Sequence, residues 1–467
     1  MTRHYYLDSA LLPQGWTRGV TVTVGDDGHI SAVDARAAGH EPGPMHDIER
    51  VAGLVVPGMP NAHSHAFQRG MAGNTEYRLS ARDSFWTWRQ AMYRLANRIE
   101  PDDLQILATQ LFIEMLKSGY TSVAEFHYLH RQPNGNLYPD GGLWDAITAA
   151  AAATGIGLTF LPTLYQASDF GAQPLKPEQA RFALETAQFL RAIDDRVTAA
   201  RHTSPATLRT GAAFHSLRAV PLETLREATH ALRAMDETIP LHIHVAEQAK
   251  EVEACELNTG RRPIELLLDT GLIDRYWCLI HATHANAHEL KGIAASQATV
   301  CLSISTEANL GDGFFDAARF LRLGGRICVG SDSQATVCPA EELRWMEYQQ
   351  RLRKKRRGVL ADTEESHAGT RLWRDAALHG AQALGQPAGG IAVGRRADWL
   401  VLDTEHPSMA GAPLENALDH LVFAGGSAAI RDVMVAGRWV VKERHHAAEL
   451  PLRGRFSDLM KRLAAQA

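Results

Sequence analysis

Leu54-Val-Val-Pro-Gly-Met-Pro-Asn-Ala-His-Ser-His65 is the stretch from which the fold can be read. An apolar run, Leu54 to Val56, ends at Pro57, and His63 and His65 follow at i and i+2. Side chains two apart on a strand point to the same side. Two imidazoles on one side can grip one divalent metal. The pair alone says little, because the chain has 22 histidines. What the rest of the chain adds decides its meaning.

Outward from that stretch, strand-like runs alternate with helix-like segments, the pattern of βαβ units and a parallel sheet. The runs are Leu54 to Val56, Ser122 to Phe126, Gly157 to Leu164, Leu208 to Phe214, Ile239 to Val245, Trp277 to Ile280, Thr299 to Ile304 and Arg326 to Gly330. Eight such strands are what a (β/α)8 TIM barrel needs, and its chemistry sits at their C-terminal ends. Those ends carry His63 and His65, then His127 and Tyr128, His215, His242 and His244, His281, Thr306 and Glu307, and Asp332. Structural caps do not account for His or Asp at most of them. The constellation predicts a metal-dependent barrel hydrolase.

The flanks read differently. Gly19 to Val24 alternates with period two, Asp27-Gly28 is a hairpin turn signal, and Ile30 to Val33 returns. Near the other end, Ala397 to Leu402 is a strand, and Val433 to Val441 is two strands around Gly437. The predicted organisation is a small β-sandwich satellite built from 1–56 with 388–445, a catalytic barrel over 57–387, and a C-terminal helix within 446–467, from Arg455 to Ala467. Such an arrangement suits 467 residues better than one average domain.

Composition narrows the function classes. With 45% apolar and 22% charged residues the chain is an ordinary globular mix. A net charge of -5 disfavours non-specific nucleic-acid binding. The basic run Arg353 to Arg357, with Thr363-Glu-Glu365 nearby, reads as a solvated helix face. Ile147 to Leu164 holds Gly155, Gly157 and Pro162, and predicts an Ala-rich helix running into a strand, not a membrane span. Met1 to Gln14 lacks the apolar core of a signal peptide. Five cysteines without a C-x-x-C suggest reduced thiols and a cytoplasmic setting.

Over nearly its whole length the chain resembles the amidohydrolase superfamily. The matching pieces are Val56 to His65, His242-Ile-His-Val-Ala-Glu247, His281 and Gly330-Ser-Asp332. In that superfamily the His-X-His pair, a strand-five His and a strand-eight Asp hold the metal, and a strand-six His lies close by. Finer motifs resemble the formimidoylglutamate deiminases of histidine degradation. They are His65-Ala-Phe-Gln68, Phe85-Trp-Thr-Trp-Arg89, Glu125-Phe-His-Tyr128, Phe214-His-Ser-Leu-Arg218 and Ser305 to Gly313.

A catalytic Zn2+ takes three or four N/O ligands and keeps a position for water. His63, His65, His244 and Asp332 would serve. His242 faces the same way as His244, but His244 is nearer the strand end and is also the one the superfamily pattern selects. Binuclear relatives bridge two metals with a strand-four lysine; no Lys lies between Lys176 and Lys250, which predicts one Zn2+ per subunit. Zn2+ can lower the pKa of a bound water to about 7. Asp332 is placed to accept the water proton, Glu247 to shuttle a proton to a substrate nitrogen from the loop after strand five, and His281 to assist.

The resemblance implies a dicarboxylate substrate, N-formimidoyl-L-glutamate, deaminated hydrolytically to N-formyl-L-glutamate and ammonia. Arg can fork onto carboxylates, so Arg218 and Arg89 are candidate anchors. The resemblance makes Gln68, Tyr128 and His215 substrate contacts too, and has Arg89 reach in from a neighbouring subunit of a homodimer. The polar stretches Thr306 to Asn309 and Gly311 to Gly313 read as a loop without a catalytic role. A nucleobase or other aromatic deaminase is the alternative, against which the two arginines argue. A non-enzymatic barrel scaffold would not keep four ligands and both proton carriers.

Overall fold

Pro57 and Gly58 divide the opening stretch between two sheets. The structure, a computed structural model, describes residues 2–35, 48–76, 85–138, 141–203 and 206–465. The four strands before the barrel are β1 (Arg3–Leu12), β2 (Gly15–Val24), β3 (Ile30–Ala35) and β4 (Ile48–Pro57). Leu54 to Val56, expected to be the first barrel strand, lies in β4 and pairs with β1. The barrel begins instead at β5 (Met59–Ser64). Proline carries no N–H for a ladder, so Pro57 ends one sheet. A Cβ on Gly58 would stand 2.2 Å from Cγ2 of Thr121, so only glycine lets the chain cross to the next.

The remaining barrel strands are β6 (Tyr120–His127), β7 (Gly157–Leu164), β8 (Leu208–Thr210), β9 (Ala212–Phe214), β10 (Leu241–Val245), β11 (Trp277–His281), β12 (Thr299–Leu302) and β13 (Arg326–Val329). Their order is β13-β12-β11-β10-β9-β7-β6-β5, all parallel, with β8 beside β7. The run Leu208 to Phe214 is thus two short strands, and Ile304 leaves its strand for a helix. Strands β5, β6, β7, β10 and β11 are buried along their whole length. Helices on the outer face of a parallel barrel require this.

The ring closes between its first and last strands. The N–H groups of Ser331 and Asp332 both donate to the carbonyl of His63 at 3.0 Å, and the N–H of His65 donates to the carbonyl of Asp332 at 3.2 Å. A Cβ on Gly330 would be 2.7 Å from that of His63, so the closure needs glycine there. This seam sets the His-X-His pair beside Asp332.

Both chain ends meet in the second sheet. Strands β14 (Trp399–Leu402), β15 (Ile430–Val435) and β16 (Arg438–Val441) join the first four in the order β16-β15-β14-β4-β1-β2-β3. A separate small core fills it, with Tyr5, Val20, Val22, Trp399, Val401 and Met434. The stretch 147–164 is helix Leu143–Thr154 followed by β7, as its glycines predict. The final helix starts earlier than expected, at Glu449, and runs to Ala465; residues 466–467 of the expected Arg455 to Ala467 helix lie outside the described residues. Among the described residues no helix is long and apolar enough to cross a membrane.

Candidate metal centre and active-site cleft

Three imidazoles and a carboxylate converge at the C-terminal mouth of the barrel. The ligand atoms of His63, His65 and Asp332 lie within 4.8 Å of one another, as do those of His63, His244 and His281. Nε2 of His63 is 3.3 Å and Nε2 of His65 is 3.4 Å from Oδ1 of Asp332. Nε2 of His244 is 3.0 Å from Nε2 of His63.

For His65 and His244 a second contact fixes which nitrogen faces inward. Nδ1–H of His65 donates to the carbonyl of Phe126 at 2.8 Å, and Nδ1–H of His244 donates to the carbonyl of His215 at 2.8 Å. A carbonyl only accepts, so each Nδ1 carries the proton and each Nε2 keeps a lone pair. Burial drives the pKa of all three rings down, that of His65 to about 3. Neutral imidazoles with inward lone pairs are the form that binds a metal. Burial alone would raise Asp332, but the His63, His281 and His65 rings hold its carboxyl well below the usual range. Three nitrogen lone pairs and one carboxylate with no cation among them are a donor set that fits Zn2+. His242 takes no part: its Nε2–H donates to the carbonyl of Ala383 at 2.8 Å, toward the opposite end of β10.

His281 ends β11 with φ +69°, a conformation costly for a non-glycine residue. Its Nε2 lies 3.7 Å from Oδ2 of Asp332 and 3.9 Å from Oε1 of Glu247. Burial opposes its charge, yet the carboxylates of Glu247, Glu307 and Asp332 push its pKa up to about 10. Among the histidines of the centre, His281 is the one whose charged form its neighbours favour. Glu247 lies in the loop after β10, as its offset from His244 predicts. That loop is braced by Glu251, which accepts from the N–H groups of Ala246 and Glu247 at 3.2 and 3.1 Å. Burial pushes the Glu247 carboxyl up to about 7, with the neighbouring acids adding and His281 opposing.

A cleft over this centre is lined by all five residues expected to contact substrate, Gln68, Arg89, Tyr128, His215 and Arg218, with His65, His244, Glu247, His281 and Asp332. Phe85, Trp88, Met92 and Leu310 supply its apolar wall. Gln68 donates to the Tyr128 hydroxyl at 3.0 Å, while its own Oε1 is buried without a partner. Nε of Arg218 is likewise buried and unpartnered. Buried polar atoms left open mark where a polar ligand belongs. Burial, then Arg218 and Arg89, push His215 well down, so it is a neutral ring. Arg89 lies on helix Phe85–Ala96 and lines the cleft of its own chain, where the resemblance implied that a neighbouring subunit would bring it.

Two acids named in the sequence were given no role there. Glu125 on β6 accepts the N–H of Ala66 at 2.7 Å and braces the turn after His65; burial pushes it up to about 8. Glu307 stands in a helix, Ile304–Leu310, where a loop was expected, and its Oε1 faces Nδ1 of His281 at 3.2 Å. The signal for both was an acid at the end of a barrel strand.

Comparison with known proteins identifies the family. The model of the amidohydrolase family matches residues 54–440. A formimidoylglutamate deiminase of Pseudomonas aeruginosa is 48% identical over 95% of this chain and 96% of its own. A 5-methylthioadenosine/S-adenosylhomocysteine deaminase of Halobacterium salinarum is 27% identical over 95% of this chain and 93% of its own. The crystal structure of an amidohydrolase from Brucella melitensis superposes with a TM-score of 0.91 at 39% identity, covering 99% of this chain and all of the other. Its barrel, its strand-end histidines and these matches place the chain in the amidohydrolase family.

Proposed function

We propose that this chain catalyses the hydrolytic deamination of N-formimidoyl-L-glutamate to N-formyl-L-glutamate and ammonia, a step of histidine degradation. One observation carries the reading. A single cleft has two arginines, Arg89 and Arg218, on its wall and a polar centre of Glu247, His281 and Asp332 at its floor. A substrate with two carboxylates and one amidine matches that division. The 48% identity to a formimidoylglutamate deiminase supports it.

In this reading His63, His65, His244 and Asp332 hold one Zn2+ per subunit. The metal, when bound, supplies Lewis-acid activation of water. Asp332, an ionised carboxylate, accepts a proton from the attacking water. Oxygen bonds to the formimidoyl carbon, and the bond from that carbon to its terminal nitrogen breaks. Glu247, with a pKa near neutrality, delivers the proton that lets the nitrogen leave as ammonia. The His281 cation faces both acids and steadies the negative charge that develops. Arg218 and Arg89 take the two carboxylates, and Gln68, Tyr128 and His215 supply donors between. Five free cysteines suit a reducing, cytoplasmic setting.

The proposal includes a homodimer in which Arg89 serves the neighbouring site. Exchange of an identical helix between protomers leaves the make-up of each cleft unchanged and alters only which subunit supplies the guanidinium. Co-expression of Arg89→Met with Glu247→Gln checks this: mixed dimers recover one working site if Arg89 crosses, and none if it stays with its own chain.

The decisive assay is ammonia release by zinc-loaded protein from N-formimidoyl-L-glutamate, with guanine and adenosine alongside. Release from the first alone is expected. Turnover of a ring substrate and none of the first overturns the reading of the carboxylate pocket.

A further inference from the structure

The geometry points to Glu307 as the residue that positions His281, an inference that rests on the proposed role of His281 in the deamination. Both ring nitrogens of His281 face carboxylates. Nε2 looks into the cleft toward Asp332 and Glu247 at 3.7 and 3.9 Å. Nδ1 looks away from it, to Oε1 of Glu307 at 3.2 Å. A carboxylate on Nδ1–H sets the tautomer and stops the ring from turning a carbon toward the cleft.

Glu307 is itself held. It is 1% exposed, and the N–H of Ser303 donates to the same Oε1 at 3.1 Å. Its own carbonyl accepts the N–H of Asp312 at 2.9 Å, which closes the turn after helix Ile304–Leu310. Among the described residues no side chain other than His281 hydrogen-bonds this carboxylate, and Oε2 is buried without a partner. Burying a carboxylate in this way is costly unless it is hydrogen-bonded, and the Nδ1–H of His281 and the N–H of Ser303 are the donors it has. The acid thus works through His281 and reaches no reacting atom.

Two readouts test the assignment. Glu307→Leu is expected to lower kcat about 10- to 100-fold with KM unchanged, and to cost nothing further in a His281→Gln background. The same loss in both backgrounds, or no loss, overturns the assignment. The second readout needs no substrate: the Nδ1–H resonance of His281 in protein labelled with 15N-histidine, identified by its absence from His281→Gln. Glu307→Gln, which keeps an acceptor and the side-chain volume, is expected to shift that resonance upfield; an unshifted resonance overturns the positioning role. If wild type releases no ammonia from N-formimidoyl-L-glutamate, the functional reading fails, and the resonance still decides the contact.

Discussion

His63 and His244 face each other nitrogen to nitrogen, Nε2 to Nε2 at 3.0 Å. The His244 nitrogen carries a lone pair, because its Nδ1–H is committed to the carbonyl of His215. His65 and Asp332 add a third nitrogen and an oxygen. A cation is what reconciles these donors, and a ligand that binds only the folded state stabilises it, by about 2.7 kcal/mol at a hundredfold excess over Kd. Removal of divalent metal with a chelator is therefore expected to lower Tm, and Zn2+ to restore it. His244→Ala should abolish metal retention, while His242→Ala, two residues back on the same strand, should leave it intact. Equal metal content in the two variants would remove His244 from the ligand set.

Arg218 offers the cleft a buried guanidinium whose Nε has no partner. Truncating one member of a buried charge pair costs about 2–5 kcal/mol. Arg218→Met is expected to lower kcat/KM for formimidoylglutamate roughly 100- to 1,000-fold, chiefly through KM, with metal content and Tm held. Steady-state kinetics beside metal analysis checks it. A variant that turns over the dicarboxylate normally would move the carboxylate site elsewhere.

The strand-end residues were legible because a barrel strand exposes only its C-terminal tip to the site. His or Asp at that tip, after an apolar run, leaves a mark in sequence. The division between β4 and β5 left none. Leu54 to Val56 is equally apolar in either sheet, and what sends it to the flanking one is Gly58 against Thr121, a contact between residues far apart in the chain. The helix Ile304–Leu310 was missed for a related reason. Seven residues, with Ser305 and Thr306 in the first turn, are too few to show helical periodicity, and a side chain bonding back to the N–H of Ser303 holds them. Arg89 could be seen as a cleft residue, but the chain supplying it depends on assembly, which no local pattern encodes.

Glu342 predicts how stability varies with pH. Burial pushes its carboxyl up to about 8, against the bonds it accepts from the N–H and hydroxyl of Ser305. An unfolded Glu titrates near ~4.3. Between those values the folded chain retains a proton that the unfolded chain has released, so stability falls as pH rises, by at most about 1.4 kcal/mol per unit for one proton. Above about 8 the contribution is flat. Glu342→Gln is neutral at every pH and can still bond Ser305, so it should lose this slope and exceed wild type in stability at pH 8. Denaturant midpoints at pH 5, 6, 7 and 8 test it, and parallel lines for the two proteins would mean that Glu342 is ionised in the fold.

Arg396 and Asp398 join the two sheets beneath the barrel, and both side chains are fully buried. Nε of Arg396 donates to both Asp398 oxygens at 2.9 and 3.0 Å, and Nη1 donates to the carbonyl of Ala206 and to Gln386. Asp398 in turn accepts the N–H of Ala436 at 2.8 Å, next to the turn between β15 and β16. Breaking a buried pair from one side strands the other charge, at a cost of about 3–5 kcal/mol. Asp398→Asn keeps the shape and removes the charge, so its urea midpoint should fall sharply. Asp458→Asn, which removes the partner of the exposed Lys461, should not change it measurably. A small effect at Asp398 would mean that the neutral acceptors around Arg396 satisfy the guanidinium without a counter-charge, and that the junction is held by packing of the sheet core alone.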